Sequence, residues 1–339
     1  MKTALIGLGP HGLRLYKCLR ELDEFEICGL VDKRDSVKEK IESEDHTLFY
    51  TDLDEMYSQE SPEVVVICTN GPSHKVLAER AMQEGAKRLF ISKPLACSIA
   101  DSLAIQQMAN ETNTRVVVDH GLRHDKSYIW LREQVINKTY GELVSAYIQR
   151  PGIGLGCLGV HSFDLANYLF GKNPERVTGW IDEPVKKNPR GEEFVDPGGT
   201  VILEYGGGNR ALIEQIETGS GPMSVELNFN FARVRMDEKF RTMEVVSKDP
   251  EFVPGPGRPA PLDRQINPHG EEVKHDIFYL MKQLLLELAG DGEMEADIGF
   301  GVTSVEILAA AYQSHEEGNK AISLPLTSEE FINRFLPVT

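Results

Sequence analysis

The first dozen residues constrain this chain more than any other stretch. An apolar run, Ala4-Leu5-Ile6, stops at Gly7-Leu8-Gly9-Pro10-His11-Gly12 and gives way to the helical pattern Leu13-Arg14-Leu15-Tyr16-Lys17-Cys18-Leu19. That order is strand, glycine turn, helix. Gly7 suits the tight turn, Gly9 lets backbone approach a pyrophosphate, and Gly12 lets the helix pack closely on the strand. Phosphates favour a helix N-terminus, where unpaired N–H groups and the dipole attract negative charge. Pro10 fits there because an N–H is expendable in the first turn. A second apolar run, Ile27-Cys28-Gly29-Leu30-Val31, ends in Asp32, twenty residues beyond Gly12 and placed to bind a ribose 2′-hydroxyl. Glycine turns also occur for purely structural reasons. Here strand, helix and carboxylate follow in the required order, so a dinucleotide site is expected.

The rest of the N-terminal part repeats the alternation. Lys33 to Asp45 reads as a solvated helix and Thr47 to Tyr50 as a short strand. Val64 to Thr69 is β-branched and uninterrupted, as a parallel strand covered on both faces requires. A turn, Asn70 to His74, leads to a helix with Val76, Leu77, Ala81 and Met82 on one stripe and Gly85 as its stop. Arg88 to Ile91 makes the next strand, Ile99 to Asn110 the next helix, and Val116 to Val118 the last strand. This is a doubly wound parallel sheet of the Rossmann type, in which ligands lie beyond the carboxyl ends of the strands. The segments after Ile6, Val31, Thr69, Ile91 and Val118 should therefore line one cleft.

Near Arg123 the pattern changes, which sets the expected domains at 1–122 and 123–339. After a helix at Ser127 to Ile136 come strand-like runs at Leu143–Gln149, Val177–Ile181, Thr200–Tyr205, Ala211–Ile216 and Ser224–Phe231. Short turns such as Gly206-Gly207-Gly208 point to a mostly antiparallel open sheet in an α+β domain. Helices at Val160–Phe170, His275–Leu288 and Val302–Ser314 are available to cover it. Six prolines between Pro250 and Pro268 mark a long irregular segment, read as a lid or subunit contact.

Composition narrows the functional classes. The 36 basic and 53 acidic residues give a formal charge of −17, which opposes general attraction to nucleic acid or anionic lipid. An anionic ligand would need a local cluster of cations. The five cysteines, Cys18, Cys28, Cys68, Cys97 and Cys157, form no CxxC pairs, so reduced thiols in a cytoplasmic protein and no structural zinc or other metal are expected. Neither a signal peptide nor a bilayer-spanning run is visible.

Two further segments carry chemistry. Ser92-Lys93-Pro94 follows the fifth strand and so falls at the cleft, although a loop lysine is more often a solvated charge. In Gly154 to Leu165, a helix beginning near Cys157 would place Cys157 and His161 on one face, with Asp164 close by. His161 there is a candidate proton acceptor or a satisfied core residue.

These residues resemble the family of glucose-fructose oxidoreductase, inositol dehydrogenase and MocA over nearly the whole chain. Gly7, Gly9 and Gly12 match its glycine turn, and Thr69-Asn70-Gly71-Pro72-Ser73-His74 its loop after the fourth strand. Ser92-Lys93-Pro94 is similar to its Glu-Lys-Pro signature without the glutamate. Cys157 to Asp164 is similar to its D-x-x-x-H-x-x-D helix with cysteine in place of the first aspartate. The run Ala311 to Gly318, followed by Ile322 to Pro325, is similar to its usual ending. The resemblance implies an NAD(P)-dependent oxidoreductase acting on a sugar, cyclitol or derivative, assembled as a homodimer or homotetramer through the outer sheet face. It also implies a cis Lys-Pro bond.

The cofactor would be held by Gly7, Gly9, Pro10, His11, Gly12, Asp32, Lys33, Thr69, Asn70, His74, Ser92, Lys93 and Pro94. NAD is expected, since Asp32 repels a 2′-phosphate, with NADP admitted if Lys33 and Arg34 pair with one. Lys93, His161 and Cys157 would be catalytic, and His120, Arg123 and Asp164 would face substrate. A nonenzymatic NAD-binding protein and an NAD-requiring glycosidase are the alternatives, because fold does not fix function.

Overall fold

The computed structural model describes residues 1–185, 187–188, 190–237, 242–252, 259–268 and 276–338. Its first half runs β1 (Lys2–Ile6), α1 (Pro10–Arg20), β2 (Glu26–Val31), β3 (Phe49–Tyr50), α2 (Leu53–Gln59), β4 (Val64–Ile67), α3 (Gly71–Gln83), β5 (Arg88–Ile91), α4 (Ile99–Thr112) and β6 (Arg115–Val118). The six strands pair in the order β3-β2-β1-β4-β5-β6, all parallel. All four residues of β4 are buried, because helices cover both faces of this sheet.

Two local expectations change here. Lys33 to Asp45 is not a helix of the α type but two 3-10 turns, Asp35–Lys40 and Ser43–Leu48. With Val37 and Ile41 as its buried side chains, the segment has no stripe long enough to hold an α-helix. The short α2 has no counterpart in the sequence reading. It is held by Asp52, whose carboxylate accepts from the Glu55 N–H at 3.0 Å, and by the buried Met56.

The second half contains α5 (Lys126–Ile136), β7 (Leu143–Pro151), α6 (Val160–Phe170), β8 (Arg176–Ile181), β9 (Gly199–Glu204), β10 (Arg210–Ile216), β11 (Ser224–Phe229), β12 (Ala232–Asp237), β13 (Thr242–Lys248), β14 (Leu262–Ile266), α7 (Ile277–Ala289), α8 (Ile298–Glu316), β15 (Ile322–Ser323) and α9 (Glu329–Asn333). Nine strands form one sheet, ordered β14-β13-β12-β11-β7-β10-β9-β8-β15. Every pairing is antiparallel except β7 with β10, which is parallel. The chain leaves β7 through α6 and the β8–β9 pair before returning beside it, a crossover rather than a hairpin. The run Ser224–Phe231 ends as a strand at Phe229, and β12 and β13 extend the sheet beyond it. The proline-rich segment is not irregular throughout: Leu262–Ile266 pairs with β13 as an edge strand. The lid or subunit contact read from that segment falls partly on 253–258, outside the described residues.

The helices divide their cover differently from the expectation. α6 and α8 lie against the nine-stranded sheet, with Val160, Phe163, Ile307, Leu308 and Ala311 in its core. α7, expected on the same sheet, covers the other one. Its Met281, Leu284, Leu285 and Leu288 join Leu5, Leu30, Val66, Phe90 and Val117. Arg88 and Arg115 of that sheet reach carbonyl oxygens at the C-terminal end of α7 and just beyond it, including those of Leu288, Gly290 and Gly292. An amphipathic stripe reveals that a helix is buried but not against which sheet. The expected helix start at His275 lies outside the described residues.

Candidate active site

At the first turn the backbone leaves room for a ligand. Gly7 has φ +93°, and a Cβ there would meet the Cys68 carbonyl oxygen at 2.5 Å; one on Gly12 would meet the Gly7 oxygen at 1.9 Å. A Cβ on Gly9 would meet nothing within 4 Å. Gly9 caps α1 without a side-chain hydrogen bond, and Pro10 occupies its first turn. An uncapped helix N-terminus beside an open glycine fits a pyrophosphate. Asp32 is buried, with Oδ2 accepting from the Leu8 N–H at 2.9 Å and from Arg34 Nη2 at 2.8 Å. Its Oδ1 accepts from Arg34 N and Nε. Burial opposes the Asp32 charge, but the Arg34 guanidinium and the two backbone N–H groups hold its carboxyl below the ordinary value. Lys33 is exposed beside it.

The loop after β4 is organised from beneath. Thr69 Oγ1 accepts from Ser73 Oγ at 2.7 Å, and Asn70 stands exposed at the start of α3. His74 is fully buried, its Nδ1 facing the Pro94 carbonyl at 2.9 Å and its Nε2 the Thr69 carbonyl at 3.2 Å. It therefore ties this loop to the one after β5. Burial lowers its pKa. Ser92 is buried against Cys68, with Oγ and Sγ 3.9 Å apart. The Lys93–Pro94 bond is cis.

Lys93, Cys157 and His161 come from distant parts of the chain to one place. Lys93 Nζ lies 3.6 Å from Cys157 Sγ, which Arg190 Nη1 also approaches, at 3.3 Å. Cys157 belongs to a π-helical turn, Leu155–Gly159, that runs directly into α6. The N–H groups of Gly156 and Cys157 each donate to the Asp196 carboxylate at 2.7 Å, which caps the turn. His161, four residues on, is partly exposed. Its pKa is held well below the ordinary value by burial and by the nearby charges of Arg150 and Lys93. The other four cysteines are buried and free, with Cys68 and Cys97 pushed up to about 12 by burial.

His120 is 1% exposed and stands perpendicular to the His161 ring, centroids 6.0 Å apart. Neither of its ring nitrogens has a hydrogen-bond partner, and burial lowers its pKa. Arg123 and Asp164, expected to face substrate, are spent on each other. Arg123 Nε donates to both carboxylate oxygens at 3.0 and 2.9 Å, and Nη2 donates to Oδ1 at 2.8 Å. Both are buried, with the guanidinium 3.6 Å from the Phe300 ring centroid. The pair joins the segment after β6 to α6.

The sequence reading missed four more residues around the site, as well as a partner for His11. His11 donates from Nε2 to Asp119 Oδ2 at 2.6 Å, reaching from α1 to the segment after β6. In sheet order β4 and β5 intervene, so the contact spans roughly 14 Å of strand spacing. Asp119 directly follows a strand that ends at the cleft, which was a usable signal. Arg150 and Gln215 end β7 and β10, and their alternation marked the buried face. Arg190 and Asp196 lie in a loop that offered no signal. Among the described residues, no group of three or more His, Cys, Asp or Glu side chains could hold a metal ion, and no helix is long and apolar enough to cross a membrane.

Comparison with known proteins agrees with this arrangement. Residues 1–120 match the model of the oxidoreductase family with an NAD-binding Rossmann fold, and residues 141–229 match the GFO/IDH/MocA C-terminal domain. The chain is 27% identical over 194 residues to myo-inositol 2-dehydrogenase of Thermotoga maritima, covering 52% of this chain and 57% of that protein. It is 23% identical over 341 residues to D-apiose dehydrogenase of Paraburkholderia graminis, covering 94% and 88%. Several of the curated relatives are matched over only about half of their own length. Among solved structures, an Agrobacterium radiobacter oxidoreductase in complex with NAD+, L-tartaric acid and magnesium superposes with a TM-score of 0.77 at 16% identity, over 95% of this chain and 98% of that one. GenD2 from gentamicin A biosynthesis, in complex with NAD, superposes with a TM-score of 0.76 at 18% identity, over 96% and 97%. With both family models matched in chain order, and with a doubly wound sheet followed by an open mixed sheet, the chain belongs to the Gfo/Idh/MocA oxidoreductase family.

Proposed function

We propose that the protein is an NAD-dependent dehydrogenase or reductase that moves a hydride between the nicotinamide and a hydroxyl or keto carbon of a sugar, cyclitol or related polyol. The observation that carries this reading is the convergence of Lys93 and His161 beyond the carboxyl end of β5, in the cleft that begins at the uncapped turn of Gly9. The names of the inositol and apiose dehydrogenase relatives support a hydroxyl-bearing substrate. When bound, the nicotinamide supplies the hydride acceptor; the protein supplies position and charge.

His161 takes the hydroxyl proton. Burial and its cationic neighbours lower its pKa, which favours the neutral ring that can accept a proton. Lys93 steadies the alkoxide that develops as the proton leaves. Cys157 stands where the family resemblance has an aspartate. Sulfur accepts hydrogen bonds more weakly than a carboxylate oxygen, which leaves Lys93 Nζ open to substrate oxygens. The glutamate absent at Ser92 leaves a buried hydroxyl against Cys68.

A panel of sugars, aminosugars, cyclitols and nucleotide sugars, followed by absorbance of reduced nicotinamide, tests the proposal. Turnover of at least one member is expected. NAD binding with no turnover across the panel would instead support a nonenzymatic NAD-binding protein.

A further inference from the structure

Arg150 is the least explained charge in the molecule. It sits near the end of β7 on the face shared by the buried Ala146 and Ile148, the face that packs against α6. Its Nη1 is buried with no hydrogen-bond partner, and no described carboxylate forms an ion pair with it. In register beside it on β10 is Gln215, 1% exposed, whose Nε2 donates to the Gly152 carbonyl at 2.7 Å. Gln215 Oε1 is buried without a partner, as are both ring nitrogens of His120. Buried polar atoms of this kind cost free energy unless something satisfies them.

The carboxylates of the region are committed elsewhere. Asp164 takes three hydrogen bonds from Arg123, Asp196 accepts from Gly156 and Cys157, and Asp119 accepts from His11. Lys93 and Arg190 meet at a sulfur, and Arg150 lies close enough to His161 to oppose its protonation. A chain with a formal charge of −17 has thus set two basic side chains, Lys93 and Arg150, against one histidine.

We propose that the substrate is an anionic polyol, bearing a carboxylate or phosphate close to the reacting carbon, and that Arg150 binds this charge while Gln215 accepts from a neighbouring hydroxyl. The inference rests on the dehydrogenase reading of the site. A guanidinium presents a planar fork that matches a carboxylate or phosphate, and an anion there also relieves the repulsion between Lys93 and Arg150, which both face His161. A neutral polyol satisfies hydrogen bonds but leaves that repulsion in place. The same anion offsets the charges facing His161 and makes it a stronger base in the complex.

The test uses matched trios, each a neutral sugar or cyclitol, its carboxylate and its phosphate, assayed with NAD or NADH. One anionic member is expected to exceed its neutral counterpart in kcat/KM on the order of 10–100-fold, and which one identifies the anion. Arg150→Met should abolish that advantage and Arg150→Lys should restore part of it. The acid limb of kcat should lie at higher pH than that of kcat/KM, and coincident limbs argue against an anion at this place. Equal use of the neutral member by the wild-type protein would overturn the inference. If no trio is turned over, the dehydrogenase reading fails, and calorimetry of the same trios on NADH-loaded protein still decides the anion. Binding of an anionic member that Arg150→Met weakens 10–100-fold upholds it; equal or absent binding across the trio overturns it.

Discussion

Lys93 separates a working dehydrogenase from a protein that only binds NAD. Its Nζ lies beside Cys157, while the pyrophosphate turn and Asp32 are on the other side of β4 in sheet order. If Lys93 steadies the alkoxide as proposed, Lys93→Met keeps length and removes that charge, so turnover should fall on the order of 10²–10⁴-fold with NAD affinity nearly unchanged. Unchanged turnover on the identified substrate would remove its catalytic role. Asp32 and Arg34 set a second test. The carboxylate favours a ribose hydroxyl over a phosphate, so NADH should bind more tightly than NADPH. Asp32→Ser frees the Arg34 guanidinium now held on it and should move the preference toward NADPH on the order of 10–100-fold. Calorimetry with both cofactors decides this, and tighter NADPH binding by the unaltered protein would refute the first half.

Among elements, the contact between the 3-10 turn Gly121–His124 and α6 joins the segment after β6 to the helix that carries His161. It depends on Arg123 and Asp164, buried together and joined by three hydrogen bonds. Removing one partner leaves an uncompensated buried charge, so Arg123→Met should cost about 3–5 kcal/mol in urea unfolding. A loss under about 1 kcal/mol would show that the pair carries little of this contact. Sequence reading placed Arg123 at the domain junction, since it follows β6, and Asp164 close to His161, three residues after it. It could not show that they meet, because forty-one residues separate them and either could have turned toward solvent. The reverse holds for α7, whose apolar stripe was plain but whose sheet was not.

At the scale of the whole molecule, three histidines, two of them buried and His161 partly so, tie stability to pH. His74, His120 and His161 all have pKa values lowered from 6.5, burial being the largest cause in each. An unfolded chain takes up these protons near that value and the folded chain only at lower pH. The unfolded state therefore binds more protons below pH 6.5, and stability should decline as pH falls from 7 toward 5. Denaturant midpoints at pH 7.5, 6.5 and 5.5 that stay level or rise on acidification would contradict this. The open face of the nine-stranded sheet is the other molecular feature. It carries Tyr147, Ile202 and Leu212, partly exposed, and Trp180 at 42% exposure. A dimer or tetramer through this face is the expected state, and light scattering that gives a monomer at micromolar concentration would count against it.

The sequence alone determined what depends on local order. A glycine turn between strand and helix, β-branched runs bounded by turns, and a carboxylate twenty residues on are short-range facts, and they specify the parallel sheet and its cleft. Lys93 and His161 were legible for the same reason, each lying at a fixed offset from a strand or helix end. Tertiary structure decided what depends on which surfaces meet. Only the folded chain brings Arg190 and Lys93 together at the sulfur of Cys157, sets Asp196 on the N–H groups of a π-helical turn, and leaves Arg150 beside Gln215 with a buried, unpartnered Nη1 and no ion pair among the described residues. Periodicity reports that a side chain faces inward but not the neighbour it finds, because that neighbour comes from another part of the chain and is chosen by packing.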